Sequence, residues 1–213
     1  MGPAGVTFHF ARIYVAGGPQ EDSQGPLPAM LETPLRDLAA MEPDHLLLGM
    51  TAPSLAGGVE GDRRLRAAIE QRLGTPVTTS GEAALAALQA YKARRIGLLS
   101  PYAARMDEQT IGFFRGAGYE VVGYRRLESS SPAAIAGVAA RDIQVGIQAL
   151  VAAGAEAVVQ VGNNLVTARL ADEAERGTGV PVIAINAALL WHGLRKTGIR
   201  DQVRGFGTLL RDF

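Results

Sequence analysis

The segment Gly162–Asn164, a glycine followed by two asparagines, is the turn whose residue types most clearly suggest a ligand site. The turn follows 158–161, an apolar run rich in β-branched valines, which is typical of a strand covered on both faces. Residues 165–171 carry apolar positions at helical spacing, so a helix is predicted to open directly after the turn. Ligands of open α/β sheets bind at the carboxyl ends of strands, and glycine permits close backbone approach. The turn is therefore a candidate anion cradle, with an ordinary strand-to-helix connection as the alternative.

A second strand end of the same kind lies earlier in the chain. Residues 46–49 are apolar, and the run 50–54, which is rich in small and polar residues, follows them. Each strand end precedes a helix, a strand that begins Pro-Val (76–79 and 181–185), and then a helix rich in alanine and leucine. This internal similarity predicts two related α/β halves whose strand ends face one cleft, although βαβ units in general share some of the pattern.

The whole chain alternates between strand and helix patterns. Strands are predicted at 6–15, 46–49, 76–79, 95–100, 119–124 and 158–161, and helices at 31–41, 64–73, 81–92 and 143–153 and after Asp107 and Ser131. The 81–92 helix has Ser80 as its predicted N-cap. Strands separated by helices pair in parallel, so an α/β fold with parallel sheets is predicted. One half is expected to span 1–92 together with about 196–213, and the other 93–195.

Composition narrows the classes of function. The 213 residues include 21 basic and 21 acidic side chains, so the formal net charge is zero. A neutral chain without a long apolar run or a signal-peptide pattern predicts no nucleic-acid partner, no membrane partner and a cytoplasmic location. The chain has no cysteine, and its three histidines lack metal-ligand spacing. We therefore expect no metal, no cofactor and no thiol nucleophile, and a homo-oligomer stays open.

Several segments together resemble the aspartate/glutamate racemase superfamily, and most closely its branch of maleate cis–trans isomerases and arylmalonate decarboxylases. They run in the right order over nearly the whole chain, and are Phe8–Arg12, Gly49–Thr51, Ser100–Tyr102, Val161–Leu165, Pro181–Asn186 and Leu190–His192. The resemblance implies two pseudo-symmetric, flavodoxin-like lobes with the substrate site between them. It also implies a further strand ahead of the one at 6–15, and we expect that this sequence begins at the second strand of the family.

The family's chemistry uses cysteines at the two matching strand ends. The resemblance places them at Met50 and Gly162, which can neither donate a proton nor attack carbon. A cradle of hydroxyl and backbone N–H groups, which stabilises a carboxylate or an enediolate, does carry over. Thr51 and Tyr102 are the predicted catalytic residues, with packing as the alternative role for the tyrosine. The predicted substrate-binding residues are Met50, Ala52, Ser54, Gly162, Asn163, Asn164 and Leu165.

Two functions stay open from the sequence. The first is an enzyme of the maleate isomerase or arylmalonate decarboxylase type, acting on a small carboxylate or dicarboxylate. It would use cis–trans isomerisation, decarboxylation or a related enediolate step, with Tyr102 or Thr51 in place of a thiol. The second is a non-catalytic relative that keeps the carboxylate site. His192 is interpreted as a helix-packing residue, Glu82 as a charge that complements a helix dipole, and Ser54 as lacking any arguable Ser-His-Asp order.

Overall fold

The structure, a computed structural model, describes residues 2–13 and 29–213. The described strands are β1 (Leu46–Leu48), β2 (Val77–Thr79), β3 (Arg95–Ser100), β4 (Glu120–Arg126), β5 (Ala157–Gln160) and β6 (Val182–Ala184). The described helices are α1 (Glu32–Ala39), α2 (Thr51–Leu55), α3 (Gly58–Leu73), α4 (Ser80–Tyr91), α5 (Asp107–Gly116), α6 (Pro132–Ala136), α7 (Ala140–Ala152), α8 (Ala168–Thr178), α9 (Ile185–Lys196) and α10 (Thr208–Asp212). Short 3₁₀ turns lie at Ala29–Leu31 and Ala104–Met106. Among the described helices, none combines the length and apolar character needed to pass through a bilayer.

Two parallel sheets form the centre of the molecule. β1 pairs with β2, and the second sheet has the strand order β4-β3-β5-β6. Every pairing between described strands is parallel, which confirms the predicted α/β fold with parallel sheets. Strands joined through helices run in one direction, so their carboxyl ends lie at one edge of each sheet. The loops that follow β1, β3 and β5 can therefore face a common space.

Two long helices hold the sheets together. β2 runs directly into α4, and β6 runs directly into α9, which is the repeat seen in the sequence. α4 and α9 pack against each other, and both reach across the sheets: α4 contacts β2, β5 and β6, and α9 contacts β1, β2 and β6. Because α9 is shared in this way, the division into 1–92 with about 196–213, and 93–195, stays a prediction.

Two apolar clusters stabilise the fold. The larger surrounds the four-stranded sheet, where Phe113, Phe114 and Leu98 are each at most 1% exposed. The smaller lies at the two-stranded sheet and consists of Leu31, Leu35, Leu46, Leu48, Leu65, Ile69 and Val77. The helix predicted at 31–41 is shorter than expected: Met41 lies beyond its end and is 53% exposed. The chain leaves the helical conformation at Glu42, whose φ is +47°.

The prediction of a strand at 6–15 is wrong for those of its residues that the structure describes. Residues 6–13 form no strand, and 14–15 lie outside the described residues. An alternating pattern yields a strand only where a neighbour supplies hydrogen-bonding groups. Among the described strands, β1 pairs only with β2, whereas its counterpart β5 has β3 on its other edge. The Phe8 and Phe10 rings instead stack on each other, with centroids 6.5 Å apart, and Phe10 is 87% exposed.

Candidate active site

A cleft forms where the loops after β1, β3 and β5 meet. Its volume is about 130 Å³, close to the ~150 Å³ cavity that holds one benzene molecule. Its lining residues are Met30, Gly49, Met50, Thr51, Ala52, Pro53, Tyr102, Pro132, Ile135, Gly162, Asn163 and Asn164. None of these residues carries a charged side chain, and the space suits a small ligand.

Hydrogen bonds between Thr51 and Asn163 join the loops after β1 and β5 at the cleft. Thr51 donates both its backbone N–H and its hydroxyl to Asn163 Oδ1, at 2.8 Å and 2.6 Å. The Gly162 N–H in turn donates to the Thr51 hydroxyl oxygen at 3.2 Å. Thr51 is only 2% exposed, so little water competes for these bonds. The structure thus brings the predicted turn and Thr51 together.

Asn186 and Ser80 complete the polar network, although neither is among the site residues predicted from the sequence. Asn186 donates Nδ2–H to the Asn163 carbonyl at 2.8 Å, and its Oδ1 accepts from Asn163 Nδ2 at 2.9 Å. Ser80 donates to the Leu48 carbonyl at 3.2 Å, and its hydroxyl lies 3.4 Å from Asn163 Nδ2. Ser80 is the first residue after β2 and Asn186 is the second residue after β6, so both lie at the strand-to-helix junctions of the repeat. Polar residues at these two junctions were the signal that could have pointed to them.

The backbone at Gly162 accommodates glycine alone without strain. Its φ is +93°, and a Cβ there would lie 2.5 Å from Pro101 Cγ. Gln160 braces the turn: its Nε2 donates to the carbonyls of Val161 and Gly162 at 2.5 Å and 2.9 Å, and its Oε1 accepts from the Ile185 N–H at 3.3 Å. A side chain at Gly162 would therefore have to move a proline ring or a turn that is held by hydrogen bonds.

Two residues predicted to bind substrate do not line the cleft. The Leu165 N–H donates to the Gly162 carbonyl at 3.1 Å, which closes a turn and turns the Leu165 side chain into the main core, where it is 2% exposed. As a result α8 begins at Ala168, later than predicted. Ser54 is fully buried, and its hydroxyl donates to the Met50 carbonyl one helical turn earlier, at 3.0 Å.

Tyr102 is the one titratable residue among the described residues that line the cleft. Burial raises the pKa of Tyr102 to about 12, and the neighbouring Thr51 hydroxyl opposes this only in part. The Tyr102 N–H donates to Ser100 Oγ at 3.2 Å, which orients the loop after β3. The phenol is therefore protonated at neutral pH. It can donate a hydrogen bond, and it is a weak acid.

Backbone N–H groups add further donors to the cleft. Those of Ala52, Asn163 and Asn164 have no acceptor among the described residues. The Ala52 carbonyl is used, since it accepts from Gln109 Nε2 at 2.8 Å. Unpaired N–H groups beside a cleft are available to an anionic ligand.

The remaining ionisable candidates lie outside the cleft. His192 and His45 both approach the Thr78 hydroxyl, at 3.1 Å and 2.8 Å. Burial lowers the pKa of His192 to about 4 and also lowers the pKa of His45. Thr79 follows Thr78 in β2, and successive strand residues point to opposite faces of a sheet. The Thr79 hydroxyl accordingly contacts a different group, and donates to buried Asp62 at 2.7 Å. Burial raises the pKa of Asp62 to about 6.

Glu82 has a structural position at the start of α4. Its N–H donates to the Thr79 hydroxyl at 3.1 Å, so Thr79 is the N-cap where Ser80 was predicted. Its carboxylate pairs with Arg66 at 2.7 Å and lies 3.8 Å from Lys196 Nζ. A carboxylate in the first turn also interacts favourably with the helix dipole. No cluster of three or more His, Cys, Asp or Glu that could hold a metal ion occurs in the described ranges.

Residues 32–210 match the family model of arylmalonate decarboxylase. The chain belongs to the arylmalonate decarboxylase family. A maleate isomerase of Nocardia farcinica is 24% identical over 189 residues, which are 86% of this chain and 75% of that protein. An arylmalonate decarboxylase of Bordetella bronchiseptica is 28% identical over 162 residues, 75% of this chain and 68% of that protein. These results confirm the family resemblance seen in the sequence.

A solved structure supports the family's fold for this chain. It is a variant of Nocardia farcinica maleate cis–trans isomerase with a covalently bound succinylcysteine intermediate. The TM-score is 0.82 at 23% identity, over 87% of this chain and 78% of that one. The present arylmalonate decarboxylase family member has no cysteine on which such an intermediate could form. At the positions to which the resemblance assigns thiols, it has the Met50 thioether and the bare backbone of Gly162.

Proposed function

We propose that this member of the arylmalonate decarboxylase family binds a small carboxylate in the cleft without thiol chemistry. The observation that carries the proposal is that the Thr51 N–H and hydroxyl both point at one oxygen, Asn163 Oδ1, at 2.8 Å and 2.6 Å. Two donors aimed at one point suit a carboxylate oxygen, because hydrogen bonds to ionised acceptors are the short, strong ones. The N–H groups of Ala52, Asn163 and Asn164 and the Tyr102 phenol supply donors for the rest of the ligand.

The lack of a cation among the lining residues limits the ligand's charge. No lysine, arginine or histidine occurs among the described residues that line the cleft, so hydrogen bonds from these residues must offset the cost of removing water from an anion. A monocarboxylate meets this condition most easily. A dicarboxylate meets it when its second carboxylate stays at the open side of the cleft.

Decarboxylation is the catalytic function for which the cleft offers a specific group, the Tyr102 phenol. Loss of CO₂ from a malonate-type substrate breaks a C–C bond, leaves the electron pair in an enediolate, and requires one proton at carbon. The donors around Thr51 would stabilise the enediolate, while Tyr102 would deliver the proton and recover it from water. Turnover would be slow, because a pKa near 12 makes the phenol a weak acid at neutral pH. Cis–trans isomerisation has less support, since none of the lining residues that the structure describes offers a thiol, amine, imidazole or carboxylate to add to a double bond.

Ligand screening separates binding from catalysis. Maleate, malonate, phenylmalonate, succinate and amino acids would be screened by thermal shift, and each compound that raises the Tm would then be followed by proton NMR. Binding alone predicts a concentration-dependent rise in Tm with unchanged ligand spectra. A decarboxylase would consume the malonates and leave maleate intact. If no carboxylate raises the Tm at millimolar concentration, the proposed function is wrong.

Tyr102→Phe should weaken carboxylate binding about tenfold, or ~1.4 kcal/mol, near the low end for a hydrogen bond to a charged group. The ring remains in place, so the free energy of unfolding should change by less than about 1 kcal/mol. Calorimetric titration and urea unfolding measure the two effects. Tyr119→Phe removes a hydroxyl at the amino end of β4, away from the cleft, and should bind as the parent does. Equal affinity of Tyr102→Phe and the parent protein would remove Tyr102 from the site.

The neutral, cysteine-free composition supports action in the cytoplasm without a cofactor. Self-association is an experimental variable, and light scattering at the concentrations used for titration would report it.

A further inference from the structure

We propose that the Asn163 side chain occupies a carboxylate-oxygen subsite of the cleft, and that a ligand carboxylate enters by displacing it. The inference rests on the proposed carboxylate binding and adds how access to that site is controlled. Asn163 Oδ1 takes both donors of Thr51, the N–H at 2.8 Å and the hydroxyl at 2.6 Å. An amide oxygen and a carboxylate oxygen are both planar acceptors with two lone pairs, so donors placed for one are placed for the other.

Asn186 determines which end of the Asn163 amide faces Thr51. Asn163 Nδ2 donates to Asn186 Oδ1 at 2.9 Å, and Asn186 Nδ2 donates to the Asn163 carbonyl at 2.8 Å. Exchanging the oxygen and nitrogen of the Asn163 amide would set two acceptors against each other at Asn186. The exchange would also place the Asn163 NH₂ group, a donor, opposite the Thr51 N–H, which is also a donor. The hydrogen-bond network therefore holds an acceptor, and not a donor, in front of Thr51.

Thr51 has no donor left for a ligand while Asn163 remains in place. Its hydroxyl has a single proton, which goes to Asn163, and the hydroxyl oxygen accepts from the Gly162 N–H at 3.2 Å. Its backbone N–H is committed to the same amide oxygen. A carboxylate must therefore either displace the amide or bind without Thr51.

Displacement exchanges neutral hydrogen bonds for charge-assisted ones. Hydrogen bonds to an ionised acceptor are about twice as strong as neutral ones, so a carboxylate can win the exchange. The bonds that Asn163 gives up reduce the observed affinity, because only the fraction of molecules with the amide displaced is competent to bind. Asn163 is half-buried at the cleft, which leaves it an open side toward which to move. A weakly basic or neutral ligand, whose hydrogen bonds to Thr51 would be no stronger than those of the amide, should therefore fail to displace Asn163.

Two substitutions at Asn163 give opposite expectations. Asn163→Ala removes the internal acceptor and should tighten the binding of maleate and malonate about tenfold, which corresponds to ~1.4 kcal/mol. Asn163→Asp places a charged acceptor in the same position and should weaken binding at least about tenfold, because a tethered carboxylate competes at high effective concentration. Calorimetric titration with each probe measures both. Gln148→Ala, which also removes an amide but lies exposed on α7, should leave affinity unchanged.

The outcomes distinguish this inference from the proposed function. If the parent protein binds maleate or malonate and Asn163→Ala binds it equally or more weakly, Asn163 is a ligand contact or a simple tie between the halves. The inference is then overturned while the proposed function stands. If neither the parent nor Asn163→Ala binds any carboxylate, both are overturned. Asn186→Ala covers the case in which Asn163→Ala does not fold: it frees the amide from its anchor, and it should tighten binding by a smaller factor.

Discussion

Gly162→Ala should lower the free energy of unfolding by about 3 kcal/mol and abolish ligand binding in the cleft. The left-handed backbone, with φ of +93°, costs an L-residue roughly 1–2 kcal/mol. A Cβ at 2.5 Å from Pro101 Cγ and 2.9 Å from its Cδ adds an overpacking cost of roughly 1–3 kcal/mol. A proline ring cannot rotate away as a long side chain would, so the strain falls on the turn that lines the cleft.

Urea unfolding measures this cost against a matched glycine. Gly112 lies in α5, and a Cβ there would have open space around it. Gly112→Ala should therefore keep or raise stability, by up to about 1 kcal/mol, because alanine is the better helix former. If Gly162→Ala unfolds at the same urea concentration as the parent, the turn is less constrained than its geometry indicates.

The backbone conformation also determines which of the two positions, Met50 or Gly162, could carry a cysteine. Gly162→Cys would carry the same Cβ as alanine, so it should destabilise the fold before it supplies any chemistry. Met50 differs, because its φ of −133° and ψ of 93° are extended values that any residue adopts. Of the two positions that the family resemblance assigns to cysteine, only Met50 can accept one without backbone strain.

The second large effect concerns two buried ionisable groups with opposite pH dependence. Burial raises the pKa of Asp62 from 3.8 to about 6, so the unfolded chain loses its proton first and stability falls as pH rises through this range. Burial lowers the pKa of His192 from 6.5 to about 4, so the unfolded chain gains its proton first and stability falls as pH drops. At ~1.4 kcal/mol for each pH unit of difference, each effect reaches about 3 kcal/mol. In the parent protein the two largely cancel between pH 4 and 6.5.

Substituting one of the two residues should reveal how the free energy of unfolding depends on pH through the other. Asp62→Asn can still accept from the Thr79 hydroxyl, and its stability should rise by about 3 kcal/mol from pH 4 to 6.5, because Asp62 no longer opposes the His192 effect. His192→Asn keeps a polar group near Thr78, and its stability should fall over the same range. His45, whose pKa burial also lowers, reinforces the histidine slope. Urea unfolding at several pH values tests this, and parallel curves for the parent and both variants would contradict it.

The fold was predictable because its signals are local. Apolar strands that alternate with helices require only neighbouring residues, and they correctly indicated parallel sheets and the meeting of the loops at Thr51 and Gly162. The segment at 6–15 carries an equally good strand pattern, yet its described residues 6–13 form no strand, because a strand also needs a partner that the pattern cannot supply.

The details of the site depend on long-range register. Asn186 and Ser80 reach Asn163 only through the packing of α4 and α9, which no local pattern encodes. Ser54 and Leu165 do not line the cleft for a related reason. Each lies within a few residues of the cleft, but a turn of the backbone directs its side chain into the core, where Ser54 is 0% and Leu165 2% exposed.

Amide NMR during a titration with maleate and then malonate tests carboxylate binding at the cleft most directly. The account predicts saturable chemical-shift changes, with a single Kd for each ligand, that are largest at the N–H groups of Thr51, Ala52, Asn163 and Asn164. Changes that fail to saturate, or that centre on residues away from the cleft, would contradict it.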